Sequence, residues 1–380
     1  GVSSYGDVSV DNSGSITAYS GSSAAVGVFA RADNGMASVD NSGSVLAYSN
    51  SGVAYGVMAR GMDAAVNNSG TVSADGYSAA IGVAASAMDS ATITSSDGSV
   101  DAFSRGQAIG ELASAFYGDA TITNASSVSA IGIYGGASGV DAESVLGNAA
   151  VTNTGSVTAL SRVGPATGVK AYTIVGDASI DNGGDVTAAT FYSMYSPANA
   201  IGLYAYSVYG MASVHNTGAI TAYSGSGIAD AIFASGYVVD VDNSGALTAG
   251  GYVWGAGIEA QGTAYARVTN SGDITAYTMP FQQAVDYYGN SLGYANGGQA
   301  FGIYVTGGSY GVRVTNSGAV TVQGGYTDGI FVQSAGNAVV VNSGDIVSGS
   351  GLASYYDSYS GNTYYYGTQL ANGINVSSNG

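Results

Sequence analysis

The sequence predicts an all-β protein: a single-stranded parallel β-helix, or β-solenoid, in which one chain winds through about twelve stacked coils. Three observations predict it. A corner motif of the form V-x-N-S-G-x-I returns at intervals of 26–34 residues, with one longer interval. A second motif, small–apolar–Gly–apolar, interleaves with the first at the same period. Between them lie short runs in which apolar and polar residues alternate, the signature of strands.

The corner motif reads VDNSGSI at 10–16, VDNSGSV at 39–45 and VNNSGTV at 66–72, and continues to VVNSGDI at 340–346. Alignment of the copies gives a column of Asn12, Asn41, Asn68, Asn124, Asn153, Asn182, Asn216, Asn243, Asn270, Asn316 and Asn342. Ser95 replaces Asn in the degenerate copy ITSSDGSV. Amides stacked at coil spacing can hydrogen-bond along the column, as in cross-β ladders, so the column reads as structural. The glycine two positions on, from Gly14 to Gly344, reads as a turn residue that needs positive φ. The second motif reads AVGV at 25–28, AYGV at 54–57, AIGV at 80–83 and AFGI at 300–303.

Three short strands make each coil. In the second coil Val28, Ala30, Ala37, Val39, Val45 and Ala47 face inward, and Phe29, Ser38, Asp40, Leu46 and Tyr48 face outward. Asp141, Lys170 and Glu259 share the outward slot of Phe29. Glu111 falls on an inward slot, and a one-residue bulge placing Leu112 inside would remove it. Helical repeats are disfavoured, because the unit is rich in Gly and β-branched residues and poor in Glu, Lys and Leu. Coils about 4.8 Å apart make a rod of roughly 55 Å, one continuous solenoid over residues 1–380.

Composition narrows the partners. A net charge of −18 with only seven Lys and Arg repels nucleic acid and anionic lipid. No apolar run approaches the roughly 18 residues that a membrane span needs, so no membrane insertion is expected. Cysteine is absent, which excludes disulfides and thiolate metal sites. Scarce sites for trypsin-like proteases suit an extracellular or cell-surface location.

The V-x-N-S-G-x-I-T-A unit, repeated over nearly the whole chain, resembles the passenger domains of bacterial autotransporters. That resemblance implies a right-handed β-helix displayed at the cell surface or secreted, in adhesion, biofilm formation or surface display. It carries over no catalytic residue.

Three coils expand at one point, after the ITAYS-type strand, with insertions at 190–199, 278–299 and 350–370. They are rich in aromatics: Phe191, Tyr192 and Tyr195; Phe281, Tyr287, Tyr288 and Tyr294; Tyr355, Tyr356, Tyr359, Tyr364, Tyr365 and Tyr366. Loops on a rigid scaffold concentrate binding residues, and Tyr gives contact area at low entropic cost. The insertions therefore read either as contact loops for a glycan or protein, or as cover for the rod or a neighbouring chain. The Gly-Val at residues 1–2 and the Gly-Ile at 373–374 share one phase of the repeat. This suggests a longer parent solenoid or head-to-tail self-association.

No enzyme is expected. Glycoside cleavage needs two carboxyl groups about 5–10 Å apart, and Glu111, Glu143 and Glu259 fall on different coils. Asp11 with Asp40, and Asp63 with Asp89, read as solvated repeat positions, and His215 as an outward substitution. No cofactor is expected, although Asp7, Asp63, Asp119 and Asp177 recur before the second strand, where calcium would want six to eight oxygens. Outward Thr158 and Thr187, then Thr221, Thr248 and Thr275, stack without a second threonine column, which argues against ice binding. The runner-up function is a carbohydrate-active β-helix enzyme or a glycan-binding protein.

Overall fold

The computed structural model describes residues 1–191, 197–278, 283–285, 291–294, 298–350, 353–357, 362–366 and 370–379. Among them every regular element is a strand. Each coil has a first strand carrying the small–apolar–Gly–apolar motif, such as Ala25–Ala32. A second strand ends on the corner Asn, such as Met36–Asn41, and a third follows it, such as Ser44–Ser49. The third strands form a 12-stranded sheet. First and second strands form one 23-stranded sheet, because Ile228–Asn243 and Trp254–Asn270 each run unbroken through the corner between them. Neighbouring coils pair in parallel and in motif register, with Val39 against Val66 and Asn41 against Asn68.

Side chains confirm the inward phasing. Val28, Val57 and Val83 from first strands, Val39, Val66 and Ile93 from second strands, and Val45, Val72 and Val100 from third strands are all buried. Three such columns fill the interior, and β-branched residues suit the pleated walls. The cross-section is narrow, which accounts for the glycine of the first-strand motif. A Cβ on Gly56 would lie 2.2 Å from Val72 Cγ1 and 2.6 Å from the Gly82 carbonyl oxygen. The missing side chain is the space into which the third-strand valine packs.

At the corner the amides form the expected ladder. Asn Nδ2 donates to Oδ1 of the next Asn at 2.7 Å in nine contacts that all run the same way along the rod, two from Asn12 to Asn68 and seven from Asn124 to Asn342, with Ser95 between the two runs. Each Nδ2 also donates to the carbonyl two residues ahead, as Asn182 does to Gly184 at 2.7 Å.

The corner glycines correct the positive-φ expectation. Among the described residues only Gly98 and Gly311 have positive φ. Flat stacking of corners is the real constraint: a Cβ on Gly43 would lie 2.0 Å from the Gly14 carbonyl oxygen. Backbone meets backbone there, and neither can give way.

Glu111 is likewise corrected. No bulge turns it out: it pairs in register between Val83 and Val140 and is fully buried, while Leu112 stays on the outward side. Its Oε1 accepts a hydrogen bond from Ser95, the residue that interrupts the Asn column. The neighbouring corner is adjusted to match. Gly98 adopts φ 82°, and Asn124 Oδ1, with no Asn before it, accepts from the Ser126 amide at 3.0 Å and hydroxyl at 2.7 Å. Ser95, Gly98, Glu111 and Ser126 thus form one repaired stacking fault. Oε2 of Glu111 has no hydrogen-bond partner, and burial, opposed by the Ser95 hydroxyl, pushes the carboxyl from 4.5 up to about 7.

Two measurements check these assignments. Asn216→Ala leaves Asn243 Oδ1 without its donor and Asn182 Nδ2 with only the Gly184 carbonyl, and should cost about 1–3 kcal/mol by thermal or denaturant unfolding, whereas Asn12→Ala should cost less. The folded chain holds the Glu111 proton up to about pH 7, while the unfolded chain releases it near 4.5. Its contribution to stability is therefore greatest below 4.5 and is lost as the pH rises through 7. Glu111→Gln should stabilise the chain by up to about 3 kcal/mol near pH 8 and change little near pH 4. Equal effects at both pH values would refute the buried acid.

Candidate functional site

Functional groups gather on the outward face of the first strands, on the C-terminal side of the fault. One outward slot, continuous over eight strands, carries Asp141, Lys170, Tyr204, Phe233, Glu259, Tyr304, Phe331 and Asn375 in register. At coil spacing this rank is about 35 Å long. The same slot holds Phe29, Met58, Ala84 and Leu112 in the earlier coils. Acids and aromatics thus replace a mostly apolar series at a definite point.

The first cluster is ionic. Asp141 and Lys170 are register partners, and Glu143 lies two residues along from Asp141. Lys170 Nζ lies 3.3 Å from Asp141 Oδ1 and 3.4 Å from Oδ2, and it contacts Glu143 Oε1 directly. Burial would lower the Lys170 pKa, but the two carboxylates outweigh it and hold the ammonium above its ordinary value. Asp141 is 6% exposed, and burial pushes it up to about 7 despite Lys170. The outward assignment of these residues holds, but outward here does not mean solvated.

Next to the ions stands a stack of rings. Tyr172 and Tyr206 are 5.5 Å apart, Tyr204 and Tyr206 6.0 Å, and Tyr204 and Phe233 5.2 Å, all within 10° of parallel. Strand spacing sets ring spacing, so identical slots on adjacent coils stack aromatics without any special backbone.

Further along, carboxyl groups recur among rings. Asp230 Oδ1 accepts from Trp254 Nε1 at 3.1 Å. Glu259 Oε1 accepts from the Gln261 amide in the slot between Phe233 and Tyr304. Burial first, then the charge of Glu259, holds the Asp230 pKa well above its ordinary value, and burial also raises Glu259. Phe301 packs at 4.5 Å from Trp254, and Tyr304 stacks on Phe331 at 5.0 Å. Asp328, fully buried, accepts from Tyr326 at 2.8 Å and from Asn372 at 2.6 Å.

This pair revises the carboxylate argument from sequence. No second Glu partners Glu259, but Asp230, one coil earlier, interacts with it electrostatically. Sequence reasoning missed Asp230, Trp254, Tyr204, Tyr206, Tyr304 and Phe331. For Tyr204, Tyr304 and Phe331 the available signal was the slot itself, the Asp141–Lys170–Glu259 column extended through every coil, whereas Asp230, Trp254 and Tyr206 stand in other slots.

Other candidates resolve differently. Asp7, Asp63, Asp119 and Asp177 each accept a backbone N–H from the next coil, at 2.9, 3.2, 2.8 and 2.8 Å. They serve as corner caps, and among the described residues no three potential ligand side chains converge on a metal site. Asp40 accepts from Asn67 at 2.6 Å on an exposed face. His215 is exposed, with Nδ1 3.7 Å from Asp242 Oδ2. The two threonine groups join into one rank, Thr158 through Thr275 and on to Thr321.

Of the expected contact residues, Phe191 is exposed, and Tyr192, Tyr195, Phe281, Tyr287, Tyr288 and Tyr359 lie outside the described residues. The later insertions contain antiparallel pairs. Gln283–Val285 pairs with Ser291–Tyr294, which includes Tyr294. Ala353–Asp357 pairs with Asn362–Tyr366, setting Tyr355 opposite Tyr364 and Ser354 opposite Tyr365, with Tyr356 and Tyr366 in the same strands.

Lys170→Met should cost about 2–4 kcal/mol near pH 8, because two carboxylates are left beside each other without a cation. The loss should shrink near pH 5, where Asp141 takes up a proton, and thermal unfolding at the two pH values measures the difference. Comparisons with known protein families, curated proteins and solved structures find no match, and the chain is placed by its fold alone, an all-β parallel solenoid.

Proposed function

We propose that this chain is a non-enzymatic extracellular β-solenoid, a surface scaffold or adhesin of the autotransporter-passenger kind. The observation that carries the reading is the rank of acids and aromatics confined to one side of the rod, from Asp141 to Asn375. The coils supply length and stiffness, and this face and the Tyr-rich insertions make contacts with glycan or protein on a cell surface. Rings that present flat apolar faces beside hydrogen-bonding carboxyl groups suit polyhydroxylated partners.

The same stacking chemistry supports head-to-tail self-association into filaments. Every ladder amide donates in one direction, so a second copy in the same orientation continues the series. Electron micrographs of the purified chain distinguish continuous fibres from isolated rods.

A carbohydrate-active enzyme is the second reading, favoured by the interacting Asp230 and Glu259 among aromatic rings. One experiment separates the two. Incubation with surface polysaccharides should give retention on the immobilised chain and no new reducing ends. Release of reducing ends that Asp230→Asn or Glu259→Gln abolishes would replace the adhesive reading with the enzymatic one.

A further inference from the structure

A groove of about 370 Å³ opens over the ionic cluster, lined by Asp141, Glu143 and Lys170 together with Tyr172 and Tyr204. We infer that this groove binds one uncharged sugar ring of a glycan. The assignment deepens the adhesive reading and rests on it for the face as a whole.

Three features of the groove converge on that ligand class. First, the lining includes an accessible acceptor. The Glu143 side chain is 40% exposed, and its carboxylate accepts hydrogen bonds only. Second, the Lys170 side chain, 23% exposed, brings an ammonium to the same groove, and Asp141, which is buried beside it, helps to hold that ammonium in place. Donor and acceptor side by side match the adjacent hydroxyl groups of a sugar, each of which both gives and takes a hydrogen bond.

Third, the wall is an apolar plane. Tyr204 is locked in a near-parallel stack with Tyr206 and Phe233, and Lys170 Nζ lies 5.6 Å from the Tyr172 ring centroid. A fixed aromatic face beside polar groups accepts the C–H face of a saccharide while its hydroxyl groups reach the ions. The volume lies at the small end of the roughly 300–1,000 Å³ range of ligand sites, which suits a single ring. Purely apolar ligands would cover Lys170 and Glu143 without replacing the water that these groups hydrogen-bond. Acidic sugars would add a carboxylate to two others on a chain of net charge −18.

The test is a glycan array with neutral, amino-sugar and acidic members, probed with the intact chain and four variants. Asp141→Asn and Tyr204→Ala should each weaken binding to neutral glycans by about tenfold or more, equivalent to roughly 1.4 kcal/mol. Tyr204→Phe keeps the ring and should bind as the parent does, which separates loss of the platform from loss of the fold. Tyr304→Ala, further along the same rank, should retain binding to the groove. Loss of binding in Tyr304→Ala with none in Asp141→Asn or Tyr204→Ala would overturn this site and leave the adhesive face in place. Binding confined to amino-sugar or acidic glycans would overturn the uncharged-sugar assignment. No binding to any glycan would overturn both the site and the glycan form of the adhesive reading.

Discussion

Everything in this molecule depends on the parallel, in-register hydrogen bonding of each coil to the coils on either side. That bonding repeats every side-chain position at a separation of about 4.8 Å, so each position becomes a column. A column must satisfy its own packing. Inward columns tolerate only residues that fit a narrow interior, hence Val, Ile, Ala and the glycines that receive the valines of the third strands. At the corner the column is amide upon amide, and the backbone comes so close to itself that a Cβ has no place.

Outward columns have no such restriction, and there the chain diverges from its own repeat. The slot of Phe29 passes through apolar residues and then, from Asp141 onward, through charges and rings. Because the scaffold sets the spacing, a change of residue type alone is enough to build an aromatic stack or an ion cluster. The carboxyl groups on this face are buried by neighbouring side chains instead of by tertiary folding, and burial is the leading cause of the raised pKa of Asp141, Asp230 and Glu259. Unlike Glu111, which is part of the stacking fault, these acids share an outward face with aromatic rings, and that association is what the proposed binding role rests on.

The coil count, the three strands per coil, the inward residues and the Asn ladder could all be read from the sequence, because each depends on the period and on alternation within one coil. What could not be read depends on contact between coils. Gly43 looks like a turn residue when its own coil is considered alone, and only the Gly14 carbonyl beneath it reveals the steric cause. Glu111 looked like a phasing error, because the partner that accommodates it, Ser95, lies sixteen residues back at a different corner. The pairing of acids among the rings was hidden for a related reason. Asp230 and Glu259 lie on neighbouring coils but in different slots, Asp230 opposite Ala256 and Glu259 opposite Phe233, so no single column of the repeat pairs them.

The repaired fault has a mechanical consequence. A rod of stacked coils bears an axial load through its interfaces in series, and nearest-neighbour terms set the strength of each. Across most interfaces the backbone pairs are backed by a side-chain amide; toward Asn124 the Ser95 corner has the Ser95–Glu111 hydrogen bond in its place, and toward Asn68 it has neither. The interface between Asn68 and Ser95 is therefore the first expected to yield under tension, and the rank from Asp141 onward, which lies wholly to one side of it, would separate as one piece.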